Sequence, residues 1–316
     1  MEQIELRGTI VPLVTPFNDD ESVNLPALEQ LIDYILYQGA DGLISTALTG
    51  EGPQLKDDEI TDVWDVVFQK AKHKLPVIPA VISHTTARAV HLVSIAEEKG
   101  AAAVMVAPIL NEIYVERSHR DIIGFYKDIA GSTSLPIILF NYPSLTSVDI
   151  VPSLATRLVE IENIRYIKES IGDVRRVHEI ERLTGKSLSV ICGAPNTALE
   201  CFALGCRTWI TGILNNVPRS ARQLMQAVHD LGDLGLARRI YYNQILPVVD
   251  VLQDNNNSLG TIKTGVSIRG VDVGPPRRPG RPIEEKDRMR LEQLFKNIDE
   301  NEVQIAKEIA KKGFDI

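Results

Sequence analysis

One lysine in an apolar, strand-like run has the chemistry of a carbonyl-attacking amine. Lys168 lies in the run IRYIKES, and one face of that run carries Ile164, Tyr166, Lys168 and Ser170. An amine among apolar side chains is costly to keep charged, so its pKa falls toward that of a neutral nucleophile. A buried ion pair, with Glu51 as the partner, explains the same lysine equally well.

A small turn could bind the carboxylate of a substrate. Residues 47–53 read ALTGEGP, in which the backbone N–H groups around Gly50 and the hydroxyl of Thr49 suit a carboxylate better than a bulky phosphate. The same composition is typical of an ordinary turn. The turn therefore supports a carboxylate site only in combination with other residues.

Two side chains could transfer protons near that lysine. Tyr142 lies two residues beyond Phe140, on the same side of its run and nearer its end. His84 ends another run, and an unperturbed histidine pKa of about 6.5 suits proton transfer at neutral pH. The structural alternatives are a rim aromatic for Tyr142 and a helix-capping or surface histidine for His84.

Eight apolar runs alternate with helical segments and predict the fold. The runs cover residues 8–14, 42–46, 77–83, 103–107, 137–142, 164–170, 188–193 and 208–212. Their starts are roughly 20 to 35 residues apart, which is the span of a βα unit. We therefore predict an α/β fold, a TIM (β/α)8 barrel, in preference to a doubly wound sheet, which usually has fewer strands and a phosphate loop. Active sites of such barrels lie at the carboxyl ends of the strands.

The remaining chain predicts a helical appendage. Helical patterns cover residues 219–231, 234–254 and 284 onward, so we expect a barrel of residues 1–217 and a C-terminal helical region of residues 218–316. Residues 273–282, VGPPRRPGRP, cannot be helical. Three arginines could make this stretch an anion site, but the composition favours a solvated connector.

Composition excludes several classes of function. The 316 residues carry 34 basic and 42 acidic side chains, a net charge of −8, which disfavours nucleic acid as a partner. No apolar run approaches the roughly 20 residues that span a bilayer, and the acidic, polar start is unlike a secretory signal. Three cysteines without a CxxC pair and histidines without a metal-binding spacing predict a cytoplasmic protein with neither metal nor cofactor.

These motifs together resemble the dihydrodipicolinate synthase/N-acetylneuraminate lyase family of class I aldolases. The resemblance covers almost the whole chain: LVTPF at 13–17, TGE at 49–51, ILFNYP at 138–143, IKES at 167–170 and CG at 192–193. It implies a TIM barrel with a C-terminal helical domain, a homo-oligomer (dimer or tetramer), and a Schiff base between Lys168 and a 2-oxo acid such as pyruvate. It also implies that Thr49 and Gly50 hold the substrate carboxylate and that Gly193 and Ile210 lie near the substrate.

The chain departs from the synthase branch of that family. Synthases use a tyrosine on the fifth strand, a loop threonine and a second tyrosine from across the dimer to move protons. The matching positions here are Phe140, Leu48 and Leu110, and the arginine that binds the aldehyde's carboxylate is replaced by Leu145. Phe140 and Leu48 are then expected to line the substrate pocket without taking part in proton transfer.

The departures favour another branch. The stretch SHTT at 83–86, without a tyrosine on the fifth strand, is similar to the sugar-acid branch, which includes 2-oxo-3-deoxyarabonate dehydratases. We therefore predict a lyase that dehydrates or cleaves a 2-oxo-3-deoxy sugar acid. The alternatives are synthase-like condensation of pyruvate and a non-catalytic protein that binds a 2-oxo acid.

Overall fold

The computed structural model describes residues 5–71, 73–107 and 118–314, apart from the side chain of Leu145. Within these ranges eight parallel strands form a closed barrel. The strands are β1 Gly8–Pro12, β2 Gly42–Ser45, β3 Val77–Ile82, β4 Val104–Ala107, β5 Ile137–Asn141, β6 Ile164–Glu169, β7 Ser189–Cys192 and β8 Thr208–Trp209. β8 returns to β1, where Gly8 and Thr9 pair with Thr208 and Trp209. This closure confirms the TIM barrel and excludes the doubly wound sheet.

Helices surround the barrel and extend beyond it. They are α1 Leu25–Tyr37, α2 Asp57–Ala71, α3 Thr86–Glu98, α4 His119–Ala130, α5 Pro143–Thr146, α6 Pro152–Leu158, α7 Arg175–Thr184, α8 Ala198–Ala203, α9 Pro218–His229, α10 Leu234–Ile240, α11 Leu246–Asp254, α12 Ser258–Ile268 and α13 Glu285–Lys311. A π-helical turn, Tyr241–Ile245, joins α10 to α11. The division of the chain at residues 217 and 218 stays a prediction. Among the helices described, none is long and apolar enough to cross a membrane.

Local sequence explains where these helices begin. In α1, the side chain of Asn24 accepts a hydrogen bond from the N–H of Ala27, and a proline occupies the first turn. The apolar face of the helix, with Leu28, Leu31 and Ile35, is then buried against the barrel. The helix ends before Gly39, whose φ of 83° lies in the left-handed region.

Alternation along the strands divides the apolar side chains into two layers. Inside the barrel lies a cluster that includes Ile10, Ile44, Ile78, Ala80, Met105, Ile138, Phe140, Tyr166, Ile191 and Ile210. The sequence predicts that Ile164 shares a face of β6 with Tyr166 and Lys168. This prediction is wrong, because Ile164 packs in the outer layer. The cause is a shift in the register between β5 and β6, which pairs Ile137 with Ile164 but Ile138 with Tyr166.

The C-terminal region differs from the sequence expectation in two places. Helix α12 was not predicted, because its glycines and β-branched residues have low helix propensity. Burial of Ile262 and Val266 stabilises it instead. The loop at 273–282 is not a solvated connector at Arg277, whose guanidinium pairs with Glu59 at 2.7 Å and stacks 4.4 Å from the centre of the Phe17 ring.

Candidate functional site

Lys168 is the only one of the predicted acid–base residues that is buried. Its side chain enters the barrel from β6 and is 9% exposed. Its Nζ lies 4.4 Å from the centre of the Phe140 ring. Within the described residues no carboxylate forms an ion pair with this amine, and desolvation lowers its pKa to about 7. Near neutral pH about half of the protein therefore carries the free amine that attacks carbonyl carbons.

The alternative of an ion pair between Lys168 and Glu51 is wrong. Glu51 pairs with Lys263 of α12, whose Nζ lies 3.0 Å from Glu51 Oε1. Both side chains are 1% exposed. Lys263 lies in α12, a helix that the sequence pattern does not predict, so this partner of Glu51 was not predictable. The amine of Lys168 therefore has no ion-pair partner among the described residues.

The turn after β2 has the geometry of an anion site. Within the described residues, neither the N–H groups of Thr49 and Gly50 nor the Thr49 hydroxyl donates a hydrogen bond. A Cβ on Gly50 would lie 2.8 Å from the carbonyl oxygen of Leu13, so only glycine fits there. Two adjacent unpaired N–H groups beside a hydroxyl can hold a carboxylate.

Four further predicted residues meet at the mouth of the barrel. Phe140 and Ile210 belong to the interior cluster, and the half-buried side chains of Leu48 and Tyr142 pack against it. The ring centres of Phe140 and Tyr142 are 6.3 Å apart. The structure therefore brings Tyr142 and an apolar wall toward the same end of the barrel as Lys168.

His84 is not brought into this group. Its side chain is exposed after β3 and makes no hydrogen bond or ring contact with another described residue. The N-terminal cap of α3 is Thr85, whose hydroxyl accepts from the N–H of Arg88 at 3.3 Å. Of the alternatives for His84, the surface position therefore fits, and the helix cap does not.

Gly193 permits the close approach of two strand ends. Its N–H donates to the carbonyl oxygen of Glu169 at 2.8 Å and extends the pairing of β6 with β7. A Cβ at this position would overlap the hydroxyl of Ser170 and lie 2.7 Å from the carbonyl oxygen of Glu169. The glycine therefore keeps the carboxyl ends of both strands in place beside Lys168.

A buried polar network behind Lys168 was missed by sequence reasoning. The carboxylate of Glu169 accepts from Arg176 and from Asn141, both at 2.9 Å, and Arg176 also pairs with Asp149 at 2.8 Å. Glu169 follows Lys168 in a buried strand, and a buried carboxylate requires a partner. This requirement is the sequence feature that could have indicated the network. The network fixes the ends of β5 and β6, and with them the base of the lysine side chain.

Among the described residues, no three His, Cys, Asp or Glu side chains are arranged to hold a metal ion. Leu110 and the side chain of Leu145, at two of the positions where the chain departs from the synthases, lie outside the described residues.

Known proteins share this chain's sequence and fold. The model of the Dihydrodipicolinate synthetase family matches residues 5–298. The 4-hydroxy-tetrahydrodipicolinate synthase of Bacillus velezensis is 31% identical over 287 residues, which are 90% of this chain and 97% of that protein. The crystal structure of dihydrodipicolinate synthase from Aquifex aeolicus is 30% identical, with a TM-score of 0.86 over 93% of this chain and 98% of that one.

A second solved structure was determined with a ligand. The chloride-inhibited dihydrodipicolinate synthase from Acinetobacter baumannii, complexed with pyruvate, is 28% identical, with a TM-score of 0.85. The match covers 93% of this chain and 99% of the Acinetobacter chain. Family match, relatives and barrel agree with one another, and the chain belongs to the Dihydrodipicolinate synthetase family, whose members are lyases of the class I aldolase type.

Proposed function

We propose that the protein is a lyase that forms a Schiff base between Lys168 and a 2-oxo acid. The observation that carries the proposal is the buried amine itself, unpaired among the described residues and with a pKa of about 7. The free N–H groups of Thr49 and Gly50 supply the carboxylate site that a 2-oxo acid requires. The Acinetobacter relative complexed with pyruvate supports this class of substrate.

The chemistry follows from the amine. Neutral Nζ attacks C2 of the substrate, and loss of water from the carbinolamine leaves an iminium ion. The iminium withdraws electrons from C3, so a base can remove a C3 proton and form an enamine. In a 2-oxo-3-deoxy acid, the enamine then expels the C4 hydroxyl, which leaves as water after protonation, and hydrolysis of the new iminium returns the amine.

The substrate we propose is a 2-oxo-3-deoxy sugar acid, dehydrated or cleaved between C3 and C4. Phe140 and Leu48 offer no hydroxyl for the proton relay of a synthase. Tyr142, packed against Phe140, is the candidate acid and base, with the exposed His84 as the second candidate.

Condensation of pyruvate with aspartate semialdehyde is the second candidate function. The relatives named 4-hydroxy-tetrahydrodipicolinate synthase favour it, because they are about as long as this chain and match nearly all of it. In this reaction the enamine of pyruvate attacks the aldehyde, and Tyr142 takes the place of the missing relay.

Borohydride trapping tests the Schiff base. The protein is reduced in the presence of pyruvate or a 2-oxo-3-deoxy acid, and the adduct is mapped by mass spectrometry. We expect labelling at Lys168 and none in Lys168→Met, with Lys186→Met as a lysine control. Labelling elsewhere, or none, contradicts the proposal.

Turnover then separates the candidates. We expect a panel of 2-oxo-3-deoxy sugar acids to give product at a rate that falls in Tyr142→Phe and less in His84→Asn. Turnover with aspartate semialdehyde instead identifies a synthase. Labelling without any turnover identifies the third possibility, a binding protein that has kept the pocket.

We also propose a homo-oligomer, dimer or tetramer, in a reducing cytoplasm. The three cysteines, Cys192, Cys201 and Cys206, are free and buried, which agrees with a reducing compartment. Analytical ultracentrifugation at several protein concentrations tests the assembly, and a single monomeric species contradicts it.

A further inference from the structure

The carboxylate turn is attached to α12, far away in the sequence. Lys263 Nζ donates to Glu51 Oε1 at 3.0 Å and to the carbonyl oxygens of Thr15 and Pro275, both at 2.9 Å. The three acceptors match the three N–H groups of an ammonium ion, so each donor has a partner. The ammonium also lies 4.4 Å from the centre of the Phe17 ring.

Two of these bonds connect Lys263 to the turn from both sides. Glu51 directly follows Gly50 and is bound by its side chain. Thr15, whose carbonyl oxygen accepts from Lys263, donates through its hydroxyl to the carbonyl oxygen of Gly50 at 2.6 Å. The second carboxylate oxygen of Glu51 accepts from the N–H of Arg277 at 2.8 Å. The peptide unit between Gly50 and Glu51 therefore has fixed partners, since the Gly50 carbonyl oxygen accepts from Thr15 and the Glu51 N–H donates to the carbonyl oxygen of Leu48.

The backbone at Glu51 needs this support. Its φ of 54° is in the left-handed region, which is unfavourable for a residue with a Cβ. Such a conformation persists only when the surroundings determine it, and here the Glu51 carboxylate is held by Lys263 and by the N–H of Arg277. In the described part of the chain, the N–H groups of Thr49 and Gly50, which directly precede Glu51, donate no hydrogen bond.

We propose that Lys263 is a positioning residue for recognition of the substrate carboxylate. It does not touch the substrate; it holds the turn in which the N–H groups of Thr49 and Gly50 converge. The proposal rests on the proposed function, because it takes that turn as the carboxylate site. It differs from a purely structural role, since loss of Lys263 then weakens binding of carbonyl compounds that carry a carboxylate and spares those that do not.

The test compares pyruvate with acetone, which has the same carbonyl and no carboxylate. Each is trapped on the full-length protein by cyanoborohydride at a subsaturating concentration, and the rate of labelling at Lys168 is measured by mass spectrometry. In Lys263→Met we expect the rate with pyruvate to fall roughly tenfold, since hydrogen bonds to a charged group are lost, and the rate with acetone to stay within about twofold. The apparent Kd for pyruvate rises accordingly.

Two more variants make the result decisive. Glu302→Gln alters another buried carboxyl group of the C-terminal helices, one that accepts from Ser220 and does not contact the turn, so its ratio of pyruvate to acetone labelling should equal that of the wild type. Thr15→Val removes only the hydrogen bond to Gly50 and should lower the ratio less than Lys263→Met. It replaces that variant if Lys263→Met does not fold.

Each outcome has one meaning. An unchanged ratio in Lys263→Met and Thr15→Val, or an equal loss with both compounds, overturns the positioning role. Absence of pyruvate labelling in the wild type instead overturns the proposed function. A lowered ratio in both variants with an unchanged ratio in Glu302→Gln establishes the role.

Discussion

Lys168 and Phe140 are direct neighbours across β5 and β6, and the amine of the first lies 4.4 Å from the ring centre of the second. An aromatic face attracts a cation, whereas the surrounding apolar cluster repels one by desolvation. The pKa of Lys168 is lowered to about 7, and desolvation is the largest cause of this shift. The fraction of neutral amine at Lys168 therefore depends on how well water is excluded from its contact with Phe140.

The rate of Schiff-base formation should follow the free amine. Because the pKa of Lys168 is about 7, we expect trapping with pyruvate to rise about tenfold per pH unit well below 7 and to level off above it. Cyanoborohydride trapping between about pH 5 and about pH 9, on samples kept folded, measures the midpoint. A rate that continues to rise toward the pKa of an exposed lysine, about 10.4, contradicts a buried amine.

The same amine should make stability depend on pH. Its folded pKa of about 7 lies below the unfolded value, so between the two the unfolded chain binds more protons and stability rises with pH. The penalty for burying the charge is fully present below the folded pKa and vanishes above the unfolded one. Lys168→Met should be the more stable protein, and its advantage should shrink by up to ~1.4 kcal/mol per pH unit above neutrality. Urea unfolding of both proteins at several pH values measures this, and a constant difference refutes it.

Removing the ring of Phe140 should lower the pH midpoint further. In Phe140→Leu the cation loses its aromatic neighbour while the site stays apolar, which favours the neutral amine by an amount on the order of 1 kcal/mol. The midpoint of trapping should then fall by about half a unit to one unit. Phe125→Leu, at a buried ring of α4, is the matched control and should leave the midpoint unchanged. An upward shift in Phe140→Leu would mean that water enters the site.

Arg176 and Arg175 should differ greatly in their contribution to stability. Arg176→Met leaves the carboxylate of Glu169, 4% exposed, without its cationic partner and should lower the free energy of unfolding by about 3 kcal/mol. Arg175→Met removes an ion pair with Asp173 in which the arginine side chain is 79% exposed, and it should change the free energy of unfolding by less than about 0.5 kcal/mol. Urea denaturation compares the two, and similar losses argue against a buried network behind Lys168.

The barrel was predictable because each strand carries its own signal. Runs of apolar residues, separated by the length of a βα unit, indicated all eight strands. Lys168 was identified as a candidate nucleophile because it is a lysine within one of these apolar runs. The partner of Glu51 was not predictable, since a weak helix former such as 258–268 becomes helical through packing that no local pattern records. The side on which Ile164 packs was missed for a related reason: the register shift is a property of two strands together.

The bond between Lys263 and Glu51 spans 212 residues, whereas all eight strands are complete by Trp209. During synthesis from the amino end, the ribosome therefore adds all eight strands, with Lys168, before it adds the residue that pairs with Glu51. A chain that stops before α12 contains every strand of the barrel and lacks the partner of Glu51. Under the proposed positioning role of Lys263, the carboxylate site is completed only when α12, Ser258–Ile268, has been made.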